Sequence, residues 1–187
     1  MFQTGEEVTL HEVLDAREYR VRLQTELLEK FPECTLINYK CNIPGPIKNN
    51  DAIKKLFQHG LDEVTRAVMM ADLDVAHQKI INSRAGIEAF MLVNEEAKRV
   101  KELMIEVEQA SAIGRLYDID VIYRNDDEKV GLEQSALQSL SRTELGFPER
   151  HCLICDQSAK ACGRNRTHSV AEMQERITQM AKDDHII

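Results

Sequence analysis

The chain has 187 residues, with 24 Lys and Arg against 32 Asp and Glu and a formal net charge of −8. An apolar fraction of 43% beside 30% charged residues excludes a disordered chain, and no apolar run approaches the ~20 residues of a membrane helix. The acidic balance speaks against general nucleic-acid binding, which draws on surplus Lys and Arg. Residues 1–15 hold neither a basic nor an apolar signal region, and five cysteines, an odd number, fit a reducing compartment. A cytoplasmic chain forming a single domain over 1–187 is therefore expected.

In chain order, Thr9 and Glu12 have the spacing of a capping box, and a charged helix over about 10–30 follows, stopped by Pro32. Residues 35–43 read as a strand ended by Pro44-Gly45-Pro46. From Asn50, Ile53, Leu56, Phe57, Leu61, Val64 and Val68 recur at the helical period. Two strands, 77–81 and 86–93, surround a turn at 82–85. A helix over about 95–106 puts Ala97, Val100, Leu103, Met104 and Val107 inward, and Gly114 follows its end. Residues 116–123 form the clearest strand, and 124–150 hold few apolar positions and read as a loop. A last helix begins at Ser169, whose capping-box partner is Glu172. Cys34 and Cys41 sit among apolar residues as core thiols. The mixture predicts an α+β fold with a mixed or antiparallel sheet flanked by helices.

The strongest chemistry lies in Gly114-Arg115-Leu116-Tyr117-Asp118-Ile119-Asp120-Val121. Side chains at i and i+2 of a strand share a face, so Asp118 and Asp120 project together while Tyr117, Ile119 and Val121 enter the core. Two close carboxylates repel unless a cation lies between them. Mg²⁺ is commonly held by one or two carboxylates plus substrate phosphates, the arrangement of metal-assisted phosphoryl transfer. Arg115 adds a guanidinium suited to phosphate oxygens. The competing reading is an exposed strand face with two solvated acids. Lys48, between a Pro/Gly turn and a helix N-terminus, is a second phosphate candidate, against an exposed lysine on a rigid turn.

Cys152, Cys155, Cys162 and His168 lie within 17 positions and are the ligand types of tetrahedral Zn²⁺. Buried reduced thiols explain them equally, and a catalytic thiol would need His151 or His168 within reach. Lys160, Arg164 and Arg166 make residues 157–171 locally basic, with no acid among them.

Together these segments resemble the family of apo-citrate lyase phosphoribosyl-dephospho-CoA transferases, or holo-citrate lyase synthases. The residues that carry the likeness are Arg17-Glu18-Tyr19-Arg20, Gly45-Pro46-Ile47-Lys48, Phe57-Gln58-His59-Gly60, the Gly114–Val121 segment, Arg150 to Cys155, and Ala161 to His168. The resemblance spans about 10–180 and implies a nucleotidyltransferase-like fold. It implies transfer of phosphoribosyl-dephospho-CoA from 2′-(5″-triphosphoribosyl)-3′-dephospho-CoA to a serine of the citrate lyase acyl carrier (gamma) subunit, with release of diphosphate. It assigns Asp118 and Asp120 to Mg²⁺, one of them also drawing the serine proton. Arg115 then steadies the triphosphate, and Lys48, Arg164 and His168 contact substrate. Cys152, Cys155, Cys162 and His168 are the candidate Zn²⁺ ligands in the C-terminal segment, 150–187. Glu106 and Glu108 are nearby carboxylates that a helix surface also explains. The enzyme that makes the precursor is expected to lie elsewhere. Two other readings remain at this point: the equivalent transferase for a malonate decarboxylase carrier, and a zinc-stabilised carrier-binding module without chemistry.

Overall fold

A computed structural model describes residues 1–125 and 137–187, and side-chain caps start three of its helices. Thr9 caps α1 (Leu10–Lys30) and Ser169 caps α5 (Val170–Asp183), each in a full capping box, while Asn50 caps α2 (Asp51–Met70) through Ile53 N. The other helices are α3 (Ala97–Gln109) and α4 (Ala159–Asn165). The strands are β1 (Thr35–Cys41), β2 (Val75–Ser83), β3 (Gly86–Val93), β4 (Tyr117–Arg124) and β5 (Leu137–Ser139). They form one sheet in the order β2-β3-β1-β4-β5, antiparallel at every pairing. The fold is α+β, and of the two sheet types expected the antiparallel one is found.

Several boundaries differ from the sequence reading: β1 ends at Cys41, β2 starts at Val75, and β4 runs from Tyr117 to Arg124. The β2–β3 turn is only Arg84-Ala85, because Asn82 and Ser83 still pair with Ile87 and Gly86. α3 runs on to Gln109, where the buried Glu108 is tied down by an ion pair that lies far away in sequence. β5 lies in the stretch read as a loop; three residues are too few to show a period, and pairing of Leu137 to Ser139 with β4 decides it. Residues 140–150 form no helix or strand, as that loop reading expects, and its part at 126–136 falls outside the described residues.

The sheet has two unlike faces. Ile37, Tyr39, Ala89, Met91, Val93, Tyr117, Ile119 and Val121 point to α2, α3 and α5 and build the main core. On the opposite face, Leu36, Leu92 and Ile122 pack under Leu23, Leu27 and Leu28 of α1. Further along, the same face turns polar: Asn38, Lys40, Glu88, Asp118 and Asp120 share it by register. The C-terminal half of α1 therefore anchors the helix by apolar burial, and its N-terminal half lies over charge.

Tyr39 and Tyr117 meet edge-to-face at 5.6 Å, and the Tyr39 hydroxyl donates to the Phe57 carbonyl of α2 at 3.1 Å. Gly60 makes room for them. A Cβ there would lie 2.1 Å from the Tyr39 hydroxyl oxygen and 2.6 Å from a Tyr117 ring carbon. Gly60→Ala is expected to destabilise the protein by roughly 1–3 kcal/mol through overpacking, read as a lower urea midpoint at unchanged slope.

Candidate active site

Lys40 stands opposite Glu88 on β3 and Asp118 on β4. Its Nζ lies 2.9 Å from Oδ2 of Asp118 and 2.9 Å from Oδ2 of Asp120. The two acids thus share one face, as the spacing predicts, and converge on one cation position, held by a lysine from the neighbouring strand. Burial by itself pushes the Lys40 pKa down; Asp118 and then Asp120 more than restore it, and the net shift is upward. Beside this group, Arg20 of α1 grips Glu88 with two hydrogen bonds, one of 2.6 Å from Nε to Oε2. Gln24 of α1 donates to the buried Asn38 at 3.1 Å. α1 is thereby fixed over the polar half of the sheet.

Cys41, at the end of β1, adjoins the same cavity as Asp118. Burial drives its thiol up to about 12, against a hydrogen bond with Tyr39 and with added repulsion from Asp118, so it is a poor nucleophile at neutral pH.

The outer edge of β4 is closed by charged side chains where β5 does not reach. Glu108 Oε1 accepts from Ile119 N at 3.3 Å, Lys101 Nζ donates to Ile119 O at 2.9 Å, and Arg150 Nη1 donates to Tyr117 O at 2.9 Å. These bonds satisfy backbone groups that a full-length β5 would have taken. Glu108 is 3% exposed, ion-paired to Arg150 and 3.9 Å from Arg142. Burial, with the neighbouring guanidiniums Arg150 and Arg142, lowers the pKa of Arg115, and burial and Arg150 lower that of Arg142. Three arginines are therefore crowded around one buried acid. Gly114 permits the close turn before them, since a Cβ there would lie 2.7 Å from the Glu108 carbonyl oxygen.

Two cavities meet at Asp118. One, about 190 Å³, lies under α1 and is lined by Arg17, Arg20, Lys40 and Lys48. The other, about 300 Å³, lies beyond the β4 edge and is lined by Asp120, Lys101, Arg142, Arg150 and Lys160. In the first, Lys48 Nζ is turned onto the Ile43 carbonyl, and burial, then Arg17, pushes its pKa down. In the second, Arg142 Nε is buried without a hydrogen-bond partner among the described residues. Both cavities offer cations beside carboxylates, a setting for phosphate with metal. Each aspartate commits Oδ2 to Lys40 and keeps Oδ1 for a further ligand, so the donor set fits Mg²⁺.

A third cavity, about 540 Å³, is lined by Arg115, Arg150, Cys152, Cys162, Arg166 and His168, among others. Ligand atoms of Cys152, Cys155, Cys162 and His168 all lie within 4.8 Å of one another. Cys155 and Cys162 Sγ are 3.5 Å apart, and His168 Nε2 is 3.2 Å from Cys155 Sγ. Between them α4 starts at Ala159 and places Cys162 back on Cys155. Arg166, at φ 50°, then reverses the chain so that His168 returns to the cysteines. The group can hold a tetrahedral metal such as zinc. Its surroundings need a staple: of residues 150–169 only Cys162 is buried. Ordering each residue costs ~1–2 kcal/mol, which one buried side chain does not recover by packing.

The sequence candidates are thus distributed over three places. Asp118 and Lys48 border the first cavity, and Asp118 and Asp120 border the second. Arg115 and His168 line the third, where Arg115 donates to the His151 carbonyl. Arg164 is exposed on α4 and lines none of the three. Lys40, Arg142 and Arg150 are site residues that sequence reasoning missed. Alternation along β1 placed Lys40 on the face opposite Tyr39, but only strand pairing sets it against Asp118. Glu106 remains exposed on α3, whereas Glu108 is buried.

A family described as CitX, apo-citrate lyase phosphoribosyl-dephospho-CoA transferase, matches residues 8–184. A probable apo-citrate lyase phosphoribosyl-dephospho-CoA transferase of Streptococcus pyogenes serotype M3 is 36% identical over 179 residues, covering 95% of this chain and 87% of that protein. The Escherichia coli O1:K1 transferase of that name is 29% identical over 182 residues, covering 97% and 93%. Protein CitXG of Leuconostoc mesenteroides subsp. cremoris is 34% identical over 180 residues; the match covers 96% of this chain but 36% of that longer protein.

Proposed function

The chain belongs to the apo-citrate lyase phosphoribosyl-dephospho-CoA transferase family, and on that premise we propose that it attaches phosphoribosyl-dephospho-CoA to a serine of the citrate lyase acyl carrier subunit. The donor is 2′-(5″-triphosphoribosyl)-3′-dephospho-CoA and diphosphate leaves, a nucleotidyltransferase-type reaction. The observation that supports the site assignment is that Asp118 and Asp120, bridged by Lys40 on one face of the sheet, stand where two basic cavities meet.

Asp118 and Asp120 are the Mg²⁺ ligands of this reading. Mg²⁺, when bound there, offsets charge on the phosphate under attack. Lys40 relieves the repulsion between the carboxylates and keeps both aimed at one point. One of the two carboxylates accepts the serine proton. Arg142 and Arg150, which line the cavity on the far side of Asp118, offer guanidinium donors to phosphate oxygens. Lys48 and Arg17 serve the near side, and Arg115 steadies the triphosphate from the third cavity. We assign Cys152, Cys155, Cys162 and His168 to a Zn²⁺ that is separate from the reaction. No described helix is long and apolar enough to cross a membrane, and the partners proposed are the triphosphoribosyl donor and the acidic carrier.

Mass spectrometry of apo-carrier incubated with this protein, the triphosphoribosyl donor and Mg²⁺ tests the reading. The expected result is one phosphoribosyl-dephospho-CoA mass increment on the citrate lyase carrier and little on a malonate decarboxylase carrier. No increment on either, with a working transferase as control, would overturn it.

A further inference from the structure

We infer that the metal held by Cys152, Cys155, Cys162 and His168 is the element that sets Arg150 against the Asp118–Asp120 site, so that zinc loading governs phosphate binding more than 30 residues away in sequence. This rests on the zinc assignment above and adds a role to it. Three observations support the coupling. The segment 150–169 has almost no core of its own: Cys162 is its one buried residue, and its regular structure is α4 and a single bridge between His151 and Ser158. Leu153 packs against the main core and Arg176 Nε donates to its carbonyl at 3.4 Å, but a metal at the four ligands is the crosslink the segment itself can hold, since reduced thiols in contact supply none.

The ordered segment is tied to the start of β4 at its first two residues. Arg150 Nη1 donates to Tyr117 O and Nη2 pairs with Glu108, while the His151 carbonyl accepts from Arg115 Nη2. Cys152, the first sulfur ligand, follows directly, and its N–H closes a turn onto the Gln157 carbonyl at 2.8 Å. No flexible spacer therefore separates metal ligand from arginine. Finally, Arg150 lines both the cavity of the cysteine group and the cavity beside Asp120. A shift at the metal must move this guanidinium, because its backbone precedes Cys152 by only two positions. Arg150 and Arg115 act here as positioning and phosphate-binding groups whose own placement depends on the metal.

The test uses the full chain, purified without chelator under reducing conditions. Metal analysis is expected to give about one zinc per chain, and Cys155→Ser to lose it while Cys34→Ser keeps it. Removing zinc should leave the sheet folded by circular dichroism, open 150–169 to limited proteolysis, and weaken binding of inorganic diphosphate by about tenfold or more. Adding back Zn²⁺ but not Mg²⁺ should restore both. Zinc-free protein as purified would remove the assignment and the inference together. Stoichiometric zinc whose removal leaves the segment protected and diphosphate affinity unchanged would overturn the inference alone. Neither readout requires the carrier, so failure of carrier transfer is a separate result.

Discussion

Asp118→Asn and Asp120→Asn are each expected to lower the rate of transfer by on the order of 10³-fold, with diphosphate release falling in parallel. Both acids are ligands in the proposed Mg²⁺ site, so losing either removes half of the ligand set that the strand supplies. The fold is expected to survive each single change, because Lys40 keeps its other partner at 2.9 Å. A rate near that of the parent in both variants would sink the assignment of the reaction to this face of the sheet.

The double variant behaves differently. Lys40 would keep its burial, the leading influence on its pKa, and lose the two carboxylates that outweigh it. In the parent the net shift is upward, so the stabilisation from Lys40 is fully present below the ordinary lysine range and fades only as pH rises through the raised value. In the double variant the folded-state pKa falls below that of the unfolded chain. Its stability should then increase as pH rises from 7 toward the ordinary lysine range, the opposite slope, measurable by urea unfolding.

The second large effect is on stability. Glu108→Ala should cost about 3–5 kcal/mol, the range for removing one partner of a buried ion pair. The change strands Arg150 and Lys101 at the β4 edge and leaves Ile119 N–H without its acceptor. Glu108→Gln retains an acceptor for that N–H and is expected to lose less, which separates the hydrogen bond from the charge. Equal large losses in the two variants would assign the effect to the charge, and loss under 1 kcal/mol in both would show that the arginines do not depend on this acid.

Much of the fold was legible because its signals are local. The capping boxes at Thr9 and Ser169, the apolar period of α2 and the alternation of β4 each depend on neighbours within four residues. β5 was not legible, since three residues carry no period and its partner strand defines it. The site divides in the same way. Strand period puts Asp118 and Asp120 on one face, and ligand type marks Cys152, Cys155, Cys162 and His168. Nothing local marks Lys40, Arg142 or Arg150, whose importance comes from what they face across the chain.

The sequence by itself determined the residue chemistry and the family: paired aspartates on a strand, a Cys3His ligand set, and the segments matched from 8 to 184. The tertiary structure alone decided which cation answers the aspartates. Lys40 lies 78 positions before Asp118, and antiparallel pairing of β1 with β4 brings them together. It also decided that the thiols converge, because the left-handed residue after α4 turns His168 back on them. Net charge could not foretell either outcome. A charge of −8 sums over the chain, whereas interaction between charges falls with distance and is strengthened by burial, so only their placement sets what each group feels.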